Sequence, residues 1–155
     1  MPKFSVTRRL PYTAEQLFAV AADIESYPKF IPLVKEAKIL SRTAGKDGAV
    51  LCDARLEFAY SKMGIHESFV SHVVAYPERH EIHTESSDGP LKKMQGEWTL
   101  RDLPGGGAEV RYKVDYALKS KVLQIMLSGM FDLAVRKMLS AFERRADQLY
   151  GRKVA

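Results

Sequence analysis

A chain of 155 residues, 46% of them apolar, is long enough to close one hydrophobic core and too short to suggest a second, so residues 1–155 are read as a single domain. The lone Cys52 excludes an internal disulfide, and no basic-then-apolar leader opens the sequence, so a reducing, cytoplasmic compartment is expected. A net charge of +5 and a pI near 9.3 suit anionic lipid headgroups or nucleic acid, but the Lys and Arg residues are spread along the chain and read as a solvated basic surface rather than a site.

Lys3 to Leu10 alternates Phe4, Val6 and Leu10 against Ser5, Thr7 and Arg9, the period-2 pattern of a half-buried strand. Pro11 ends it. Thr13 and Gln16 then form a capping box ahead of Leu17, Phe18, Val20 and Ala21 at helical spacing. From Asp23 to Pro32, Pro28 and Pro32 punctuate Tyr27, Phe30 and Ile31, a broken helical turn that carries large apolar side chains into a connection.

Between Val34 and Leu118 the sequence resolves into six alternating runs, parted by turn chemistry at Ala44–Gly48, Ser61–Gly64, Tyr76–Glu78, Ser87–Pro90 and Pro104–Gly107. Cys52, Ala54, Leu56 and Phe58 share one face of their strand, and Asp53, Arg55 and Glu57 the other, as in a sheet with one face on a core and one in water. Val110, Tyr112, Val114, Tyr116 and Leu118 repeat the pattern, and Gly96, among Met94, Trp98 and Leu100, is read as a bulge or bend. A last helix is expected from about Lys121 to Tyr150, with Ser120 as N-cap and Gly151 as stop. Its first half is apolar almost all round, but Gln124, Ser128 and Asp132 interrupt the run from Val122 to Val135, so no bilayer-spanning helix is expected. The order of elements predicts an α+β architecture: about seven antiparallel strands, two short helices after the first, and a long C-terminal helix.

Catalytic and metal chemistry lacks carriers in the sequence. His66 and His72 sit roughly 20 Å apart along one strand, and His80 and His83 differ in parity, so no metal is expected. Gly105 to Gly107 precede a strand rather than a helix, which makes them a hairpin turn and not a phosphate cradle. Cys52 lies on the apolar parity with no basic sequence neighbour, and no G-x-S-x-G elbow is present. Glu57 and Glu67 flank the turn at Ser61–Gly64 and are expected to approach across that hairpin, a structural pair rather than an acid/base one. The expectation is a binding protein, not an enzyme, with no cofactor of its own.

Three segments carry a family resemblance: Tyr27-Pro28-Lys29-Phe30-Ile31-Pro32; Asp88-Gly89-Pro90-Leu91 leading to Trp98; and Ala141-Phe142-Glu143-Arg144-Arg145-Ala146 closing as Leu149-Tyr150-Gly151. In this order, over essentially the whole chain, they resemble the coenzyme Q-binding, START-like family. That family includes bacterial members described as RatA-type ribosome association toxins and belongs to the helix-grip superfamily of lipid-binding and cyclase-like proteins. Leu91 and Gly96 stand where the family pattern commonly has an aromatic and a polar side chain.

The resemblance implies a START-like, helix-grip fold, a curved sheet wrapped around the C-terminal helix, with an elongated apolar cavity that holds ubiquinone or a related prenyl quinone or lipid in support of respiration. Leu56, Phe58, Phe69, Met94, Trp98, Met126, Met130 and Leu133 are the candidates for its wall, and Tyr27, Phe30 and Ile31 for its mouth. Methionine suits such a wall because its unbranched thioether adapts to a flexible tail. Peripheral contact with an anionic membrane follows from the basic surface and the apolar first half of the last helix. The alternative that the toxin name implies is a ribosome-binding protein that interferes with subunit association. DNA is not expected as a partner. A cyclase or hydrolase in the same cavity would need inward polar groups, for which Tyr60, His66 and Glu67 are the candidates, and their parity does not place all three on one face.

Overall fold

The computed structural model of the protein describes residues 3–60, 64–128 and 131–151, with the side chains of 126–128, 131 and 132 left undescribed. Strand β1 (Lys3–Leu10) leads through α1 (Ala14–Ala22) and a 3₁₀ turn (Ile24–Lys29) into β2 (Val34–Ala44), β3 (Val50–Tyr60), β4 (Ile65–Tyr76), β5 (Glu81–Ser86), β6 (Leu91–Asp102) and β7 (Ala108–Leu118). The helical chain expected from Lys121 to Tyr150 is described as α2 (Lys121–Ser128) and α3 (Phe131–Tyr150). The strands form one antiparallel sheet in the order β1-β7-β6-β5-β4-β3-β2, so the first two strands in sequence lie on its opposite edges. The segment holding α1 and the 3₁₀ turn joins those edges. Among the described residues, no helix is long and apolar enough to cross a membrane.

Local chemistry sets the element boundaries. Thr13 and Gln16 make the capping box: the Gln16 N–H donates to Thr13 Oγ1 and the Thr13 N–H to Gln16 Oε1, each at 3.0 Å. The Leu123 N–H donates to Ser120 Oγ at 3.1 Å, which makes Ser120 the cap of α2. The sheet bends elsewhere than Gly96. Pairing runs unbroken through Gln95↔Asp115, Gly96↔Val114 and Glu97↔Lys113, and the irregularities fall between Leu91 and Lys93, between Val34 and Glu36, and between Ile39 and Ser41. Gly96 serves close packing instead, because a Cβ there would lie 2.6 Å from Thr84 Oγ1 and 3.3 Å from the Tyr112 hydroxyl.

The inner face of the sheet meets α1 and α3. Leu17 from α1, Leu100 and Val110 from the sheet, and Leu139 and Phe142 from α3 are fully buried and form the centre of the core. Tyr12 ties the ends of two elements together: its hydroxyl donates to Asp147 near the end of α3, and its ring lies 6.2 Å from that of Tyr150.

Candidate functional site

Alternation along the strands brings one set of side chains to the inner face, and register decides which of them meet. Leu56 pairs with Phe69 and Phe58 with Glu67; further along the sheet Val73 pairs with Thr84, Thr84 with Gly96, Gly96 with Val114, and Trp98 with Tyr112. The core fills this face around Phe142. Toward β3, β4 and the start of β6 it does not, and two adjoining hollows remain between the sheet, the segment from Ile31 to Val34 and α3.

The inner lobe, about 220 Å³, is walled by Tyr27, Ile31, Leu56, Trp98, Val135 and Met138, with Ser71, Thr84 and Tyr112 also facing it. The outer lobe, about 270 Å³, is walled by Tyr60, Ile65, Leu91, Tyr116, Leu118 and Leu123, with Glu67 at its exposed rim. Leu33, Phe58, Phe69, Met94 and Ala134 border both lobes. Together the lobes reach the size range of small-molecule sites, roughly 300–1,000 Å³. Among the described residues, no Lys, Arg or His lines either one. A broader hollow of about 830 Å³ lies across the outer face of the sheet, but there Lys3, Lys113, His72 and His83 mingle with Glu85, Glu97 and Asp115.

Signature segments build the rim. Asp88 folds the β5–β6 turn back over β4: its carboxylate accepts the Val70 N–H at 2.8 Å, and its carbonyl accepts the Leu91 N–H at 3.1 Å. Gly89, at φ +59°, passes so close that a Cβ would lie 2.3 Å from the Ser68 carbonyl oxygen. The turn is thereby held where Pro90 and Leu91 close one side of the outer lobe. In the Tyr27–Pro32 segment, the Tyr27 hydroxyl donates to the Ala21 carbonyl, and the Ile31 N–H donates to the Tyr27 carbonyl at 2.8 Å. Burial pushes the Tyr27 phenol well above its ordinary pKa, so it remains a neutral donor.

The wall candidates divide by position. Leu56, Phe58, Phe69, Met94 and Trp98 border the lobes, with the Phe58 and Phe69 rings stacked at 5.2 Å. Tyr27 and Ile31 border the inner lobe. Phe30 packs edge-on against Tyr27 at 5.9 Å and lies under the Arg145 guanidinium at 5.5 Å, which anchors the loop to α3. Leu133 is 56% exposed, and its neighbours Ala134, Val135 and Met138 face the cavity. The Met126 side chain and Met130 lie outside the described residues. Leu33, Ser71, Thr84, Tyr112 and Tyr116 are cavity residues that the sequence reading did not single out. A signal existed for Ser71 and Thr84, since each is a polar residue on the apolar parity of its strand.

Outside the cavity, titratable groups pair on the outer face. His66 bonds Glu57 and His72 bonds Asp53, each at 2.6 Å, and His83 lies 3.2 Å from Glu81. The His66 hydrogen bond holds the Glu57 carboxyl below its usual pKa. Glu57 and Glu67 do not approach each other: Glu57 pairs with Ser68 while Glu67 pairs with Phe58, so they point to opposite faces. Tyr60 and Glu67 reach the outer lobe and His66 does not. Burial pushes the Cys52 thiol up, outweighing the opposing pull of Arg42 across the strand pair, which disfavours the thiolate a nucleophile needs.

A seven-stranded antiparallel sheet with a C-terminal helix packed on its inner face and an apolar hollow between them is a specific arrangement. The sequence matches the family model described as "Polyketide cyclase / dehydrase and lipid transport" from residue 10 to residue 143. The chain belongs to this family. The chain is 28% identical to the "Ribosome association toxin RatA" of Escherichia coli, over 97% of this chain and 90% of that one. It is 29% identical to the "Coenzyme Q-binding protein COQ10, mitochondrial" of Dictyostelium discoideum, over 94% of this chain and 69% of that one. A START superfamily protein from Mycobacterium smegmatis superposes with a TM-score of 0.77 over 95% of this chain and 98% of its own, at 23% identity, a likeness of fold. The START-like, helix-grip architecture expected from the sequence is the one this family member has.

Proposed function

We propose that this family member, as one START-like domain over residues 1–155, binds a hydrophobic ligand in the two-lobed cavity and carries it without chemical change. The ligand class is a prenyl quinone such as ubiquinone, or a related lipid, and the service is to respiratory electron transport. The observation that carries this reading is a pair of adjoining apolar hollows that share Leu33, Phe58, Phe69, Met94 and Ala134 as their common border, in a chain related to a coenzyme Q-binding protein. Burying an aliphatic tail there gains roughly 25 cal/mol per Å² of apolar surface removed from water. The waist methionine and stacked phenylalanines adapt to such a tail, and Leu33, which borders both lobes, stands at the opening. Leu33 is 38% exposed, Val122 presents further apolar surface next to Lys119 and Lys121 in the sequence, and Leu133 does so on α3. This combination suits a cytoplasmic protein that touches an anionic bilayer from its inner face to collect ligand.

A second reading, association with the ribosome, draws on the name of the Escherichia coli relative and the net charge of +5. One experiment separates the two. Protein purified from a quinone-producing host is extracted with organic solvent, before and after incubation with quinone-loaded vesicles, and the extract is weighed by mass spectrometry. Near-stoichiometric quinone or lipid is expected. An empty protein under both conditions refutes the carrier reading, and salt-sensitive cosedimentation with ribosomes then supports the second.

A further inference from the structure

The inner lobe is apolar except at its floor, where three strands each contribute a hydroxyl. Ser71 comes from β4, Thr84 from β5 and Tyr112 from β7. Ser71 is only 3% exposed, and among the described residues none of the three side-chain hydroxyls has a hydrogen-bond partner. Two other inward hydroxyls are treated differently: Ser86 donates to the Val70 carbonyl at 2.6 Å and Tyr27 to the Ala21 carbonyl. All three face the hollow, so a ligand that displaces water from them without supplying an oxygen in its place leaves them unpaired at a cost in free energy.

Gly96 makes the convergence possible. The point its Cβ would occupy lies 2.6 Å from Thr84 Oγ1 and 3.3 Å from the Tyr112 hydroxyl, so a single ligand oxygen at ordinary bond lengths of about 3 Å reaches both. Burial pushes the Tyr112 phenol up to about 12, which keeps it protonated and able to donate. The lining also limits ligand charge. Among the described residues neither lobe has a cationic side chain, and the carboxylate at the outer rim, Glu67, repels anions.

We propose that Ser71, Thr84 and Tyr112 form a head-group subsite that selects a neutral, carbonyl-bearing ring, inserted head first with its aliphatic tail running past Phe69 and Met94 to the outer lobe. This rests on the cavity-binding reading and adds to it an orientation and an exclusion: fatty acids and phospholipids, whose heads are charged, are poor ligands.

The test titrates the full chain with decyl-substituted benzoquinone, decylbenzene and undecanoic acid, and repeats the series with a Thr84→Val, Tyr112→Phe variant. The parent is expected to prefer the quinone. The variant loses about tenfold in quinone affinity and keeps its decylbenzene affinity within about twofold, since only hydrogen bonds are removed. Equal loss for quinone and hydrocarbon, no loss for either, or tight binding of the acid overturns the subsite while leaving a lipid-binding cavity in place. A parent that binds none of the three overturns the cavity reading and the subsite with it. Infrared spectra of quinone bound to the parent need no variant: a carbonyl stretch lowered from its value in hexane is expected, and an unshifted one overturns the proposal.

Discussion

The two ends of the inner face are built from the same kinds of residue and come out differently. Around α1 the face is solid: Leu17, Leu100, Val110, Leu139 and Phe142 leave almost no accessible surface. Around the waist of the cavity, Phe58, Phe69 and Met94 border open volume. What differs is the element opposite. At the solid end two helices meet the sheet, and α1 supplies Leu17, Val20 and Ala21. At the hollow end α3 supplies Ala134, a methyl group facing large aromatic walls. Trp98 stands at the border, 5.1 Å from Phe142 on one side and lining the inner lobe on the other. Alternation thus sets which residues point inward, and the partner across the gap sets whether they pack or enclose.

The comparison breaks most readily by truncation at each end. Phe142→Ala should cost about 3–5 kcal/mol, because its close-packed neighbours cannot collapse into the space left behind. Met94→Ala should cost no more than about 2 kcal/mol, since Met94 already borders a void and forfeits fewer contacts. Urea unfolding of both variants measures the difference. Equal costs would mean that the hollow end is packed in solution.

A smaller effect sharpens the picture of the solid end. The Tyr12 phenol is pushed from its ordinary 10 up to about 12, chiefly by donating its proton to the Asp147 carboxylate. A raised folded-state pKa means that the stabilisation is complete below pH 10 and is lost as pH climbs toward 12. Tyr12→Phe should therefore cost about 1–2 kcal/mol at neutral pH. The gap between parent and variant should close between pH 10 and 12, as followed by chemical denaturation across that range. A gap independent of pH would remove the hydrogen bond as its cause.

Much of this fold was legible because the deciding interactions are local. The Thr13–Gln16 capping box spans one turn, and the parity of Cys52, Ala54, Leu56 and Phe58 needs only the strand they occupy. Legibility ends where register between distant segments decides. Glu57 and Glu67 look like partners across a short turn, yet an antiparallel register that pairs 57 with 68 sends them to opposite faces. Gly96 reads as a bulge from its own strand alone; its purpose depends on Thr84 and Tyr112, brought in by the neighbouring strands. Leu33 is a harder case, because it adopts φ +75°, a costly conformation for a bulky residue, at a point where its side chain borders both lobes. No local pattern announces that. For the wall itself, alternation cannot separate lining from filling, as both require an inward apolar side chain.

The mildest perturbation of stability tests that last distinction most directly. Ala134 is exposed to solvent yet borders both lobes, so a larger side chain there can enter the waist of the cavity without displacing packed core atoms. Ala134→Phe should leave stability within about 0.5 kcal/mol of the parent, as expected for a surface site, while reducing extractable ligand severalfold because the ring occupies the passage between lobes. The reverse pattern, a large loss of stability with ligand retained, would show that the waist is already filled and that Phe58, Phe69 and Met94 pack against the helix as core. Loss of both would instead place the ligand among the contacts that hold α3 to the sheet, in which case adding quinone to the parent should raise its unfolding midpoint in proportion to the logarithm of free ligand.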